Sequence, residues 1–172
     1  EQGDILDNAI EVGTLGRQSL WISAEGTGTL PTLSSSNGCA VIFDGLLYNR
    51  SDLCHQLDLP DHATSAEVIL HGYRRWRDGL LAKIRGIYAI GIVENDEVLL
   101  VRDPLGVYPL FYSLSRGGFG TSISHLFRQP NANNNLNYPA LANHLRHYWP
   151  DPAETFYEDV RRVVPGHAVR LR

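Results

Sequence analysis

The apolar residues of this chain change period at Gly86, and that change limits the fold more than any other feature. Upstream of it, Val68, Ile69, Tyr73, Trp76, Leu80, Leu81 and Ile84 recur near helical spacing. Thr64-Ser65-Ala66-Glu67 stands at the head of this run as a capping box. The Thr64 hydroxyl can accept from the Glu67 amide while the Glu67 carboxylate accepts from the Thr64 amide. The pattern predicts an amphipathic helix with a break near Asp78-Gly79 and an end at Gly86. Downstream, Tyr88–Val93 reads as one strand, Glu94-Asn95-Asp96-Glu97 as a turn, and Val98–Val101 as the returning strand.

The flanking segments extend the pattern. Residues 1–40 carry little signal beyond a short strand at Leu20-Trp21-Ile22, and Gly26–Gly38 is rich in Gly, Ser, Thr and Pro, which predicts a loop. Ala40-Val41-Ile42-Phe43 reads as a buried strand stopped by a turn at Asp44-Gly45. Asn49 or Ser51 can cap a short helix over Asp52–Leu57, closed by Pro60. Asp103-Pro104-Leu105-Gly106 is a further turn. Leu110-Phe111-Tyr112 is expected to pair with Phe119–Ile123 across Arg116-Gly117-Gly118, and Gln129–Asn135 to form a loop. Asn137 can cap a helix with Pro139 in its first turn, running to about His147. Ala168–Leu171 closes the chain as a strand. Helices do not alternate one for one with strands, so antiparallel sheets with packed helices, an α+β layout, are expected rather than a doubly wound parallel fold.

With 172 residues the chain is long enough for one domain with a sizeable core. A net charge of −4 and scattered basic residues give no footprint for nucleic acid or an anionic membrane. The short group Arg74, Arg75 and Arg77 reads as a solvated helix face. No apolar run approaches the roughly 18 residues of a membrane span. The acidic start, Glu1-Gln2-Gly3-Asp4, has no basic n-region, so no signal peptide is expected; the lack of any Met suggests a trimmed start. Cys39 and Cys54 make no disulfide framework, and a reducing cytoplasm is the expected setting. His144 and His147 could share a helix face, yet no third metal ligand is near in sequence, which favours surface histidines. Asp151–Glu154 and Glu158-Asp159 read as loop or helix-start charges.

Four segments in order carry a resemblance. Phe43-Asp44-Gly45-Leu46-Leu47-Tyr48-Asn49 is similar to Phe-Asn-Gly-Glu-Ile-Tyr-Asn, and Thr64-Ser65-Ala66-Glu67-Val68-Ile69-Leu70 to Ser-Asp-Thr-Glu-Val-Ile-Leu. The run Arg102–Tyr112 resembles Arg-Asp-Arg-Phe-Gly-Ile-Lys-Pro-Leu-Tyr-Tyr, and Val164-Pro165-Gly166-His167 resembles Pro-Pro-Gly-His. These belong to the N-terminal class II glutamine amidotransferase domain of the asparagine synthetase family. Residues 1–39 match it poorly. The resemblance implies a single glutaminase-like domain over 1–172, with an N-terminal-nucleophile (Ntn) hydrolase-like αββα sandwich: two mainly antiparallel sheets flanked by helices. It also implies a C-terminal synthetase domain as partner, absent from this chain, which would use ATP and Mg; no cofactor or metal is expected in the domain itself. A homodimer is an open possibility.

The family's chemistry needs a mature N-terminal Cys as nucleophile, with an Asn side chain and a Gly amide holding the oxyanion. At the matching positions this chain has Asp44 for the Asn, Gly45 retained, Leu46 for a glutamine-contacting Glu, and Ser65 for the Asp that binds the substrate amine. An ionised carboxylate only accepts hydrogen bonds and would repel an oxyanion. Glu1 is no nucleophile, and Cys39 and Cys54 are internal. The resemblance therefore implies vestigial site positions on an intact frame, and no catalytic residue. β-Lactam synthetase and lasso-peptide cyclase, relatives that also lack the nucleophile, find their attacking amine within the substrate. Two alternatives stay open: a working glutamine-hydrolysing domain whose N-terminal Cys was removed, and a stand-alone interaction module.

Overall fold

The computed structural model describes residues 9–15, 18–23, 32–113, 115, 118–127 and 134–172. They form two compact units, Gly28–Tyr108 with Pro165–Arg172, and the described residues of Glu1–Thr27 with Pro109–Val164. Both are built of antiparallel sheets with helices, as an α+β chain should be. No helix among the described residues is long and apolar enough to cross a membrane.

The first unit is a five-stranded sheet in the order β10-β6-β5-β4-β3, made of β3 (Thr32–Ser36), β4 (Cys39–Leu47), β5 (Gly86–Glu94), β6 (Glu97–Arg102) and β10 (Ala168–Leu171). The strands β5 and β6 fall where the sequence pattern places them, turned at Asn95, which takes a positive φ of 53°. Two strand expectations fail in this unit. Thr32–Ser36 is a strand and not part of a loop, because Asn37 and Gly38, with φ of 42° and 76°, turn it back onto β4. And β4 does not stop at Asp44-Gly45 but runs on to Leu47, since β5 keeps pairing with it through Leu47↔Gly86.

Helix α2 (Ser65–Trp76) has the expected capping box, with the Thr64 amide donating to Glu67 Oε2 at 2.6 Å and the Glu67 amide donating to Thr64 Oγ1 at 3.3 Å. It ends at Trp76, earlier than the spacing suggests, and the chain continues as a 3₁₀ turn, Arg77–Ala82. Arg77 makes the break by taking a positive φ of 50°, held by its ion pair with Glu94 at 2.6 Å. Ile69, Tyr73 and Leu80 join Val41, Phe43, Ile90, Ile92, Leu99 and Val101 in one apolar cluster between helix and sheet. Each fully buried aliphatic side chain there contributes roughly 1.5–3 kcal/mol. Arg74 and Arg75 are not simply solvated: they donate to the carbonyls of Ser36 and Gln56.

Helix α1 (Arg50–Leu57) begins after Asn49, whose side chain makes no capping bond and is used elsewhere. Cys54, on α1, and Cys39, on β4, are both free and buried.

The second unit holds the paired strands β1 (Ala9–Leu15) and β2 (Gln18–Ser23), and a three-stranded sheet in the order β8-β7-β9. Its strands are β7 (Phe111–Ser113), β8 (Phe119–Gly120) and β9 (Val160–Arg162). The expected strand Phe119–Ile123 is cut short by α3 (Ile123–Phe127), and β1 and β9 have no counterpart in the sequence reading. Asn137 caps α4 (Tyr138–Leu145) as expected, accepting from the Ala140 amide at 3.1 Å. The acidic residues expected in loops do lie there, but with partners: Asp151 pairs with Arg161 at 2.6 Å, and Asp159 accepts from Ser113 Oγ at 2.6 Å. The loop expected over 26–31, the turn at Arg116-Gly117 and the loop at 129–133 lie outside the described residues.

The capping box yields a signed pH expectation. Bonds from the Thr64 amide, then the Thr64 hydroxyl, hold the Glu67 carboxyl below its usual range. A depressed folded pKa stabilises above the unfolded value, near 4.3, and that contribution disappears as pH falls through the folded value. Glu67→Ala should cost about 0.5–1 kcal/mol at neutral pH. In urea unfolding, the gap between wild type and variant should close as pH drops below about 4.

Candidate functional site

The last residues of β4 carry three of the four positions singled out in the sequence. Strand β3 pairs with β4 only as far as Thr32↔Phe43, so among the described residues Asp44–Leu47 has β5 alone beside it. The register there is Asp44↔Ala89, Gly45↔Tyr88, Leu46↔Ile87 and Leu47↔Gly86. Gly45 has a φ of +134°, and a Cβ on it would lie 2.1 Å from the Ile87 carbonyl oxygen. Only glycine fits this backbone. Gly45 is thus a point of close main-chain approach within a strand, not the strand-ending turn that the sequence suggested. Asp44 is half-buried, whereas Leu46 is 48% exposed. Ser65 enters from a different element, as the half-buried first residue of α2. The four positions therefore sit on two elements of one unit.

Asn49 secures the end of β4. Its Nδ2 donates to the Lys83 carbonyl at 2.9 Å, and its Oδ1 accepts from the Arg85 amide at 2.9 Å. The Tyr48 amide donates to the Arg85 carbonyl at 2.8 Å. A side chain that mimics a strand's donor and acceptor extends the β4–β5 pairing past Gly86, which is why Asn49 does not cap α1. Arg50 then donates to the carbonyls of Asp61 and Ala63, at 2.6 and 2.7 Å, and pins the segment that leads to Thr64.

On the other side of β5 lies a buried knot that sequence reasoning resolved only as separate turns. Asp103 is fully buried. Its carboxylate oxygens accept from the amides of Val107 and Tyr108, each at 3.2 Å. Its carbonyl accepts from the amides of Gly106 and Gly166, each at 3.0 Å, and its own amide donates to the Tyr88 carbonyl at 3.0 Å. Arg102, also buried, donates from Nε to the Tyr108 carbonyl at 2.7 Å and from Nη2 to the Gly106 carbonyl at 2.8 Å. Gly106 takes φ +66°, and a Cβ there would meet Pro165 Cγ at 2.6 Å. The segments Arg102–Tyr108 and Pro165-Gly166-His167 are therefore one structure. It fixes Tyr88, the residue that faces Gly45. Burial, and then the charge of Asp103, push the Tyr88 phenol above its usual range.

Neither cysteine offers a reactive thiol. Burial and then Glu94 raise the Cys39 pKa, and Cys54 is wholly buried. His144 and His147 gather around Trp149 instead of completing a metal site; among the described residues no group of three or more His, Cys, Asp or Glu could hold a metal ion.

Residues 5–172 match the model of a family described as a glutamine amidotransferase domain. Among curated proteins, asparagine synthetase (glutamine-hydrolyzing) 2 of Bacillus subtilis is 30% identical over 163 residues, which is 84% of this chain and 21% of that protein. Asparagine synthetase (glutamine-hydrolyzing) 3 of the same organism is 27% identical over 139 residues, 75% of this chain and 22% of that protein. The chain thus spans about a fifth of the length of the relatives it matches. Among solved structures, the glutamine phosphoribosylpyrophosphate amidotransferase of B. subtilis is 28% identical, with 47% of this chain covered, 21% of that chain covered, and a TM-score of 0.39. That superposition is too partial to assign residues.

The close approach at Gly45 makes a direct expectation. Gly45→Ala should destabilise the chain by roughly 2 kcal/mol or more, because both the carbonyl of Ile87 and the positive φ oppose a Cβ. Gly79→Ala, where a Cβ meets nothing closer than 3.9 Å, should change stability by less than about 1 kcal/mol. Chemical denaturation of the two variants checks both.

Proposed function

The chain belongs to the glutamine amidotransferase domain family, and on that premise we propose that it is a domain of an asparagine-synthetase-like protein which has kept the family's frame and given up glutamine hydrolysis. One observation carries the reading. Gly45 is held where only glycine fits, while the matching positions Asp44, Leu46 and Ser65 lack the groups that glutamine chemistry needs.

The physical case runs through three positions. Hydrolysis of an amide builds negative charge on the carbonyl oxygen, which donors must stabilise. Asp44 offers a carboxylate beside the Gly45 amide, and a carboxylate has nothing to donate when ionised. Leu46 presents an apolar side chain to solvent at the position where the resemblance has a Glu. Ser65 has a neutral hydroxyl in place of a carboxylate, and a charged partner binds an ammonium about twice as strongly as a neutral one. Glutamine would lose both its anchor and its oxyanion donor.

On this reading the domain is a scaffold for an amide-forming synthetase domain of the same protein, which would bind ATP and Mg. The nitrogen would come from free ammonia or from an amine already in the acceptor. Localisation to the cytoplasm accords with the free, buried thiols. A second reading, retained glutamine hydrolysis, is favoured by the glutamine-hydrolyzing asparagine synthetases among the relatives.

Ammonia release from glutamine by the full-length protein separates the two. We expect none above background, with ATP-dependent amide formation proceeding when ammonium or an amine is supplied. Release at an ordinary enzyme turnover, about 1 s⁻¹ or faster, would contradict the proposal. If that release fell in the Asp44→Asn, Leu46→Glu, Ser65→Asp variant, these residues would be a working site of another design.

A further inference from the structure

Helix α4 ends in an unusual cap. The Tyr148 amide donates to the Asn143 carbonyl at 3.0 Å, and the His147 amide donates to the His144 carbonyl at 3.0 Å. This is the paired bonding of a Schellman motif, whose left-handed residue is usually glycine. Here that residue is His147, with φ +54°. The turn brings Trp149 back against the helix. Its indole Nε1–H donates to His144 Nδ1 at 3.1 Å. The two rings meet edge to face, 5.8 Å apart at 70°, and the His144 ring also meets Phe156 at 5.0 Å and 74°. His147 faces Trp149 from the other end of the turn at 6.1 Å and 72°.

We propose that His144 and Trp149 form an acid-sensitive clasp on the end of α4, closed while the His144 imidazole is neutral and open when it takes up a proton. Indole nitrogen only donates. The bond to Nδ1 therefore requires a bare nitrogen there, which places the proton of the neutral ring on Nε2. A second proton can go only to Nδ1, where it displaces the indole hydrogen. Two N–H groups then point at each other. Attraction of the new cation to the indole face does not rescue the contact, because the geometry offers the positive N–H edge of the indole and not its face.

The other charged or titratable groups on the surrounding elements are few. Arg146, His147 and Tyr148 stand on the helix end and turn, and Asp151, Glu154, Tyr157, Glu158 and Asp159 on the segment that bears Phe156, Asp159 being engaged by the Ser113 and Ser115 hydroxyls. Asp151 is engaged by Arg161 and the Ala153 amide, and Glu158 by Asn135 Nδ2. His147 touches Trp149 through its ring alone, so its own protonation leaves the acceptor on His144 in place. Trp149 is itself 61% exposed, beside the exposed Leu145 and Tyr148, so opening would release the ring to move and would not uncover it.

The test is the indole N–H spectrum of the ¹⁵N-tryptophan-labelled chain from about pH 8 to about pH 5, the range in which imidazoles titrate. Trp149→Phe assigns the signal, and the signal of Trp76 reports that the fold persists. The Trp149 signal should move upfield as pH falls, with the same midpoint as the His144 ring resonances. His144→Asn supplies at the place of Nδ1 an acceptor that does not titrate, so it should hold the signal at its high-pH position throughout. His147→Asn, which tolerates the left-handed backbone, should leave the transition intact. A Trp149 signal that stays flat in the wild type, a transition that survives in His144→Asn, or one that disappears in His147→Asn would overturn the clasp.

Discussion

Five main-chain bonds meet at Asp103, a residue with no exposed surface, and the end of the sheet that bears the candidate site is arranged around them. A buried acid is tolerated only when its oxygens find donors. Here the donors are the amides of Val107 and Tyr108, so the turn that follows β6 is shaped by the residue that begins it. The same residue reaches Tyr88 in β5 and Gly166 ahead of β10. Arg102 closes the turn from outside through Gly106 and Tyr108. Tyr88 in turn stands opposite Gly45. A line of hydrogen bonds and strand pairing thus runs from Gly166 through Asp103 and Tyr88 to the candidate site.

That arrangement separates what holds the frame from what the proposed reading says has changed. The geometry at Gly45 depends on main-chain groups of Ile87 and Tyr88, not on the side chains of Asp44, Leu46 or Ser65. Leu46 is half exposed and Ser65 half buried, and substitutions at such positions usually change stability little. The matched segments that persist, Asn49, Thr64-Glu67, Arg102-Asp103-Gly106 and Pro165-Gly166, all make bonds that hold the fold. Fold and function here answer to different residues.

Local chemistry was legible in the sequence and distant pairing was not. The Thr64–Glu67 box spans three residues and could be read directly, as could the β5–β6 hairpin and the Asn137 cap. Asn49 could not, since its two partners lie 34 and 36 residues away and compete with the cap that its type suggests. The run of Ser and Thr before Asn37-Gly38 suggested a loop by composition; its pairing with the apolar β4 made it a strand. Gly45 was expected at a turn because Asp-Gly is a turn pair, and only the β5 register reveals it inside a strand. For the site, the pattern of residues carried nothing by itself. Asp44, Leu46 and Ser65 stand out only against the resemblance, because the identity of a polar site residue leaves no mark in hydrophobic spacing.

The most direct measurement of the central claim is a glutamine titration followed at the Gly45 amide in ¹H–¹⁵N spectra. On the proposed reading, that amide is the one part of the family's oxyanion-binding pair with a counterpart here. If the frame is kept without its chemistry, the Gly45 resonance should stay in place up to millimolar glutamine, as should those of Asp44, Leu46 and Ser65. A saturable shift centred on these four residues would mean that glutamine is still bound there, and that the site has been rebuilt and not lost.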